Sequence, residues 1–146
     1  MAGLTLLGPE ATLVRQDEPM AARQGTRILV IDDQTDVLLV TARILREFEV
    51  TTLDDARSAL ALLRAGDRFD AIVCDLSMPH LDGQTFYETL AREFSDQAAR
   101  VVFLTGGEDP RFAGFLRDVT APVLSKPTVA RALIHEVRRL AGASHS

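Results

Sequence analysis

Five residues in this 146-residue chain carry side chains that together could move a phosphoryl group. Asp32, Asp33 and Asp75 supply carboxylates, Thr105 a hydroxyl and Lys126 an ammonium. Each stands at or just beyond the end of a short apolar run: Ile28-Leu29-Val30-Ile31, Ala71-Ile72-Val73-Cys74, Val101-Val102-Phe103-Leu104 and Pro122-Val123-Leu124. Carboxylates gathered in one pocket repel, by about 4 kcal/mol for two charges about 4 Å apart at an effective dielectric of about 20. Something positive must offset that, and a hard divalent cation bound through oxygen suits carboxylates best. With such a cation, a carboxylate can act as nucleophile toward phosphorus while an ammonium, a hydroxyl and backbone N–H groups hold the transferring oxygens. Asp75 stands alone at the end of its run and is the candidate nucleophile; the pair Asp32-Asp33 is better placed to hold metal. Gly106 and Gly107 leave the backbone after Thr105 open to a phosphoryl group.

These side chains meet only if the ends of the runs meet. The runs are short and rich in β-branched residues, as strands buried on both faces are. Between them apolar residues recur at helical spacing. Val37, Thr41, Ile44, Leu45 and Phe48 form one stripe, and Ala56, Ala59, Leu60 and Leu63, closed by Gly66, form another. Phe86, Leu90, Ala91 and Phe94 follow, then a weaker helix over Arg111 to Arg117, then Leu133, Ile134, Val137 and Leu140. With Val50 to Leu53 as a further strand, five strands alternate with five helices, which predicts an α/β fold with a parallel sheet covered on both faces. In such sheets ligands bind beyond the carboxyl ends of the strands. Residues 1–26 lack sustained periodicity and read either as a mobile tail or as a short hairpin, Leu4–Leu7 against Ala11–Val14 around Gly8-Pro9. Residues 142–146 read as a C-terminal tail.

Composition narrows the function classes. Net charge is −5, which argues against nucleic-acid partners, and Trp is absent with aromatics at 5%, so stacking platforms for single strands are lacking. One cysteine, Cys74, excludes an internal disulfide and a cysteine-rich zinc site. No run is long enough for a membrane span, and the opening Met1 to Leu7 lacks a basic flank, so a cytoplasmic location is expected. Lys126 is the one lysine among 16 basic residues.

The segments "RILVIDD", "DAIVCDLSMPHLDG", "VVFLTGG" and "VLSKP" together resemble the receiver domain of two-component response regulators, over about residues 27–141. The resemblance implies a flavodoxin-like, doubly wound sheet of strand order 2-1-3-4-5 with five helices. It implies that Asp75 accepts a phosphoryl group from a phospho-histidine on a sensor histidine kinase or histidine phosphotransfer protein. Asp33 and Asp75 would bind Mg2+ directly, Asp32 would help through water, and the Ser77 backbone carbonyl would be a further ligand. Lys126, Thr105, Gly106 and the Ser77 backbone N–H would hold the phosphoryl oxygens, with Thr105 moving to do so. The Lys126-Pro127 bond is expected to be cis. One departure concerns the aromatic that many receivers carry three residues before the lysine; here the position is Val123. The run "FLTGG" followed by "RFAGFL" is similar to receivers attached to hybrid sensor kinases.

Simpler roles stand beside these. Asp32-Asp33 alone would suit a helix N-cap, Thr105 a strand-end hydroxyl, and Met78-Pro79 a structural turn. Cys74 reads as a small buried hydrophobe, His80 as a loop residue, and His135 and His145 as surface and tail residues. Among functions, the leading expectation is a phosphoryl-accepting signalling module, not an enzyme beyond its own phosphorylation and dephosphorylation. With only residues 142–146 beyond Ala141 and no output segment recognised, its readout falls to a partner, a further transfer step or a parent protein. The last strand and helix with Arg111–Asp118 are the expected partner face. A second reading is a receiver-like interaction scaffold that does not switch, for which Val123 speaks. A third, an aspartyl-nucleophile phosphatase with a second Asp two residues on, fits poorly, because Gln34, Thr35 and Ser77 occupy those positions.

Overall fold

A computed structural model of the chain describes residues 25–107 and 109–142 in full, and the backbone of two strands before them, β1 (Leu4–Leu7) and β2 (Thr12–Arg15). These two pair antiparallel, Leu7 opposite Thr12 and Leu4 opposite Arg15, so of the two readings of this stretch the hairpin is drawn, with its second strand one residue later than expected. The rest of residues 1–24, and His145, lie outside the described residues.

The remaining elements alternate as the periodicity requires: β3 (Arg27–Ile31), α1 (Thr35–Ile44), β4 (Glu49–Leu53), α2 (Ala56–Arg64), β5 (Ala71–Asp75), α3 (Gly83–Glu93), α4 (Ser95–Ala98), β6 (Val101–Thr105), α5 (Ala113–Asp118), β7 (Val123–Ser125) and α6 (Ala130–Gly142). A 3-10 turn, Pro110–Phe112, leads into α5. The five strands from β3 onward form one parallel sheet in the order β4-β3-β5-β6-β7, which is 2-1-3-4-5 counted from β3. The fold is therefore the expected doubly wound one, with the short α4 as an unforeseen sixth helix.

Period-two alternation divides the core. Leu29, Ile31, Ile72, Cys74, Val101 and Phe103 face α2, α3 and α5, while Ile28, Val30, Ala71, Val73, Val102 and Leu104 face α1 and α6. The three inner strands are almost wholly buried, whereas the edge strands β4 and β7 are mixed. That is why the inner strands read as continuous apolar runs and the edge strands only faintly.

Two helices end sooner than their apolar stripes. α1 stops at Ile44, with Leu45 as its C-cap, and Phe48 packs on the α1/α6 side of the core from the following turn. α3 stops at Glu93, and Phe94 links it to α4. There the buried Gln97 amide bonds both backbone groups of Phe69, at 3.0 and 3.1 Å, which fixes α4 against the loop before β5. A single buried glutamine offers no periodic signal.

Candidate functional site

The site forms where β3, β5, β6 and β7 end. β3 ends at Ile31, and the backbone N–H of Asp32 still donates to Leu53 at 3.1 Å, so Asp32 keeps strand geometry and turns a buried carboxylate inward. Asp33 follows it at the surface, and Gln34, not either aspartate, is the N-cap of α1. Asp75 is the last residue of β5 and is 5% exposed. Carboxylate oxygens of Asp32, Asp33 and Asp75 all lie within 4.8 Å of one another.

Lys126 reaches this cluster from the end of β7. Its backbone N–H donates to the Thr105 carbonyl at 2.8 Å, which ties the two loops together. The Lys126-Pro127 peptide is cis, as the resemblance implied. The ammonium Nζ lies 2.9 Å from Asp32 Oδ2 and 3.2 Å from Asp75 Oδ1. Asp32 Oδ1 accepts from the Gln34 N–H at 2.9 Å, so both oxygens of Asp32 are engaged.

The electrostatics follow from this crowding. Burial first, then the charge of Asp32, push the Asp75 carboxyl up to about 6, against the opposing pull of Lys126. For Lys126, burial works to lower the pKa. The hydrogen bond to Asp32 and the charges of Asp75 and Asp32 reverse that and leave it above the usual lysine value, so it stays an ammonium. Three oxygen-donor acids with one protein cation leave a net negative pocket. The donor set is the kind a hard divalent cation such as Mg2+ takes.

The other expected residues fall around the mouth. Ser77 is exposed two residues beyond Asp75. The Thr105 hydroxyl donates to the Gly107 carbonyl at 3.0 Å, within its own loop and not to the acids. A Cβ built on Gly106 or Gly107 would meet nothing within 4 Å, so that loop backbone is uncovered. Cys74 is fully buried, its thiol donating to the Asp75 carbonyl at 3.2 Å, and burial pushes its pKa well up. It is a packing residue, as its place in a strand suggested. His80 lies exposed in the β5–α3 loop with φ 69°, and His135 lies exposed on α6.

Two residues have roles that reasoning from the sequence alone missed. Gly83 opens α3 with its backbone N–H donating to Leu76 at 2.8 Å, and a Cβ there would stand 2.5 Å from the Asp75 carbonyl oxygen and 2.9 Å from Leu76 Cα. The glycine lets the helix seat directly on the backbone of the candidate nucleophile. Arg111, from the 3-10 turn, brings Nη2 to 3.4 Å from the Ser77 hydroxyl. No sequence pattern links these two positions, because only the fold sets their loops side by side.

A doubly wound sheet of this order, ending in three carboxylates of which one lysine bridges two, defines a class of α/β folds with an acidic site at the strand ends. The profile of the family described as "Response regulator receiver domain" matches residues 28–138, and the chain belongs to that family. Among curated relatives, the transcriptional regulatory protein PrrA of Mycobacterium tuberculosis is 38% identical over 116 residues, 78% of this chain and 49% of that protein. The two-component response regulator ARR12 of Arabidopsis thaliana is 33% identical over 91 residues, 60% of this chain and 15% of that protein. The chain thus spans half or less of the length of these relatives. Among solved structures, a response regulator receiver domain protein from Clostridium thermocellum superimposes with a TM-score of 0.72 at 25% identity, covering 82% of this chain and 97% of that one. The signal receiver domain of a signal transduction histidine kinase from Syntrophus aciditrophicus does so with a TM-score of 0.72 at 26% identity, covering 81% and 91%. Among the described residues, no helix is long and apolar enough to cross a membrane.

Proposed function

We propose that this receiver domain is a phosphoryl-accepting switch, with Asp75 as the acceptor and a phospho-histidine of a sensor kinase or phosphotransfer protein as the donor, acting in the cytoplasm. The observation that carries the reading is Lys126 Nζ set between Asp32 and Asp75 inside the three-carboxylate cluster. Asp75 Oδ attacks phosphorus, the bond from phosphorus to the donor nitrogen breaks, and an acyl phosphate forms on Asp75. Bound Mg2+ would supply a Lewis acid that neutralises charge on the carboxylates and the phosphoryl oxygens. Asp33 and Asp75 would be its direct ligands, with the Ser77 carbonyl. Asp32 would contribute through water, which fits a carboxylate whose two oxygens are already held by Lys126 and Gln34. Lys126 and the N–H groups of Ser77 and Gly106 hold the phosphoryl oxygens. Thr105 leaves Gly107 to join them, which is the movement a partner would read. Leu39 and Val40, 67% and 60% exposed on α1, give a protein donor an apolar surface on the helix that opens beside Asp33.

The test is incubation with a small acyl-phosphate donor and Mg2+, comparing wild type with Asp75→Asn. A hydroxylamine-labile phosphate on the wild type alone is expected. Its absence from the wild type would leave the non-switching scaffold, which the exposed Val123 on β7 favours because it has no ring to swing.

A further inference from the structure

Arg111 is charged, stands at the mouth of the site and has no part in the reading above. Its guanidinium is held on three sides. The Asp109 carboxylate caps the 3-10 turn by accepting from the Arg111 N–H at 3.0 Å, and takes Nε at 3.2 Å and Nη2 at 2.8 Å. The guanidinium lies 5.0 Å from the centroid of the Phe112 ring, and that ring is buried. Nη2 then stands 3.4 Å from Ser77 Oγ, so the side chain crosses from the loop after β6 to the loop after β5. Among the described residues no acceptor is bonded to Nη1, which leaves one donor of a fork that Asp109 and Ser77 otherwise hold.

We infer that Arg111 is a catalytic residue of the phosphorylated site: it donates to a phosphoryl oxygen on Asp75 and covers the route by which water reaches phosphorus. The inference rests on Asp75 being the phosphoryl acceptor. An acyl phosphate on Asp75 projects between the Ser77 loop and the Thr105–Gly107 loop, with Lys126 beneath it. Hydrolysis needs a water oxygen in line with the breaking bond, hence arriving from the solvent side between those loops. The attack forms a bond to phosphorus, and the bond from phosphorus to Asp75 Oδ breaks with its electron pair returning to the carboxylate. The water proton passes to solvent and inorganic phosphate leaves. Ser77 is small and Gly106 and Gly107 carry no side chain, so none of them closes this route. Arg111, which reaches Ser77 Oγ from the loop after β6, is the side chain the inference places across it. The phosphoryl group also brings negative charge next to a guanidinium that is paired with Asp109 and lies in the field of Asp82, which adds a third anion to the two it already meets.

The experiment phosphorylates wild type, Arg111→Ala and Arg111→Lys with a small acyl-phosphate donor and Mg2+, removes the donor and follows loss of the acyl phosphate. Arg111→Ala is expected to lose it about 3- to 10-fold faster, the scale of one partly exposed charge-assisted hydrogen bond. Arg111→Lys falls between, because an ammonium keeps the charge and not the planar span. Beryllofluoride, a phosphoryl mimic, binds Arg111→Ala more weakly by a similar factor, a readout that a merely structural role would leave unmoved. The side chain is exposed, so the thermal midpoint of the unphosphorylated variant stays at the wild-type value. Equal or slower decay in Arg111→Ala, with normal formation of the acyl phosphate, overturns this inference alone. No acyl phosphate on the wild type overturns it together with the proposed function.

Discussion

Asp75→Asn removes a charge from a pocket that holds too many of one sign, and it should therefore stabilise the domain. The Asp75 carboxyl is pushed from 3.8 to about 6 by burial and by Asp32, and Lys126 only partly offsets them. An isolated shift of that size corresponds to about 3 kcal/mol between its two protonation states. Asp75 is itself little exposed, but the cluster it belongs to opens to solvent at Asp33, which screens part of the repulsion, so about 1–2 kcal/mol is the expected gain. The sign follows from linkage. A carboxyl whose pKa is raised by folding binds its proton more tightly in the native state, so its contribution is fully present below pH 3.8 and is lost as pH rises through about 6. Asparagine is neutral throughout and keeps an oxygen toward Lys126 Nζ. Without Mg2+ at pH 7.5, the variant should melt about 4–8 °C above wild type, and the gap should close as pH falls toward 4. Mg2+ should narrow the gap at pH 7.5 by stabilising wild type more than a variant that has lost a charged ligand. Thermal unfolding followed by circular dichroism across that pH range decides it. A variant less stable than wild type at pH 7.5, or a gain that does not change with pH, would refute the account of the pocket as electrostatically strained.

Lys126→Met leaves the buried Asp32 carboxylate without its cation and should cost about 3 kcal/mol in urea unfolding without Mg2+, with phosphorylation by a small donor slowed about 100-fold. Wild-type unfolding and phosphorylation rates in that variant would dismiss the bridging role. Gly83→Ala drives a methyl group against the Asp75 carbonyl and Leu76 Cα, both backbone, and should cost about 2–3 kcal/mol with weaker Mg2+ binding by isothermal titration. An unchanged melting curve would mean that α3 slides away at no cost. Tyr87 is the sole tyrosine and there is no tryptophan, so its fluorescence is free of overlap. Its ring meets Phe103 edge-on at 5.5 Å and Phe115 at 5.8 Å. Because Phe103 lies two residues before Thr105 on β6, beryllofluoride with Mg2+ should alter that emission in wild type and not in Asp75→Asn. A silent wild type would show that movement of Thr105 stops short of this cluster.

What the sequence made legible follows burial. β3, β5 and β6 are inner strands packed on both faces, so their apolar runs were continuous and their ends, where Asp32, Asp75 and Thr105 stand, were sharply marked. Once the strand ends were known, the convergence of the acids with Lys126 followed from topology alone. The edge strand β7 is three residues long and largely exposed, and it was seen mainly because Pro122 and Lys126-Pro127 frame it. What stayed hidden depends on contacts between loops. Gly83 looked like a turn residue, and only the 2.5 Å approach to the Asp75 carbonyl shows why a side chain is barred there. α4 rests on one amide, Gln97 against Phe69, which leaves no periodic trace.

Lys126 and Arg111 show how the two kinds of legibility meet in one site. The lone lysine could be singled out by composition, because a compact ammonium between two carboxylates 2.9 and 3.2 Å away leaves no room for a planar guanidinium. Arg111 is one of fifteen arginines, and its sequence neighbourhood suggested a partner face and not a place at the mouth of the site. Its mouthward position comes from Asp109 fixing the guanidinium and Phe112 anchoring the turn beneath it. A guanidinium suits that outer place for the reason it fails in the inner one: it is broad enough to pair with Asp109 and still reach the Ser77 hydroxyl. On the proposed function, the deep cation would set whether the acceptor can be charged beside Asp32, and the outer one how freely water enters. Exchanging the two types, Lys126→Arg with Arg111→Lys, should impair formation of the acyl phosphate through the first change and shorten its life through the second. Formation and decay rates measured in the two single variants separate these effects, and a formation defect in Arg111→Lys with normal decay would reverse the assignment.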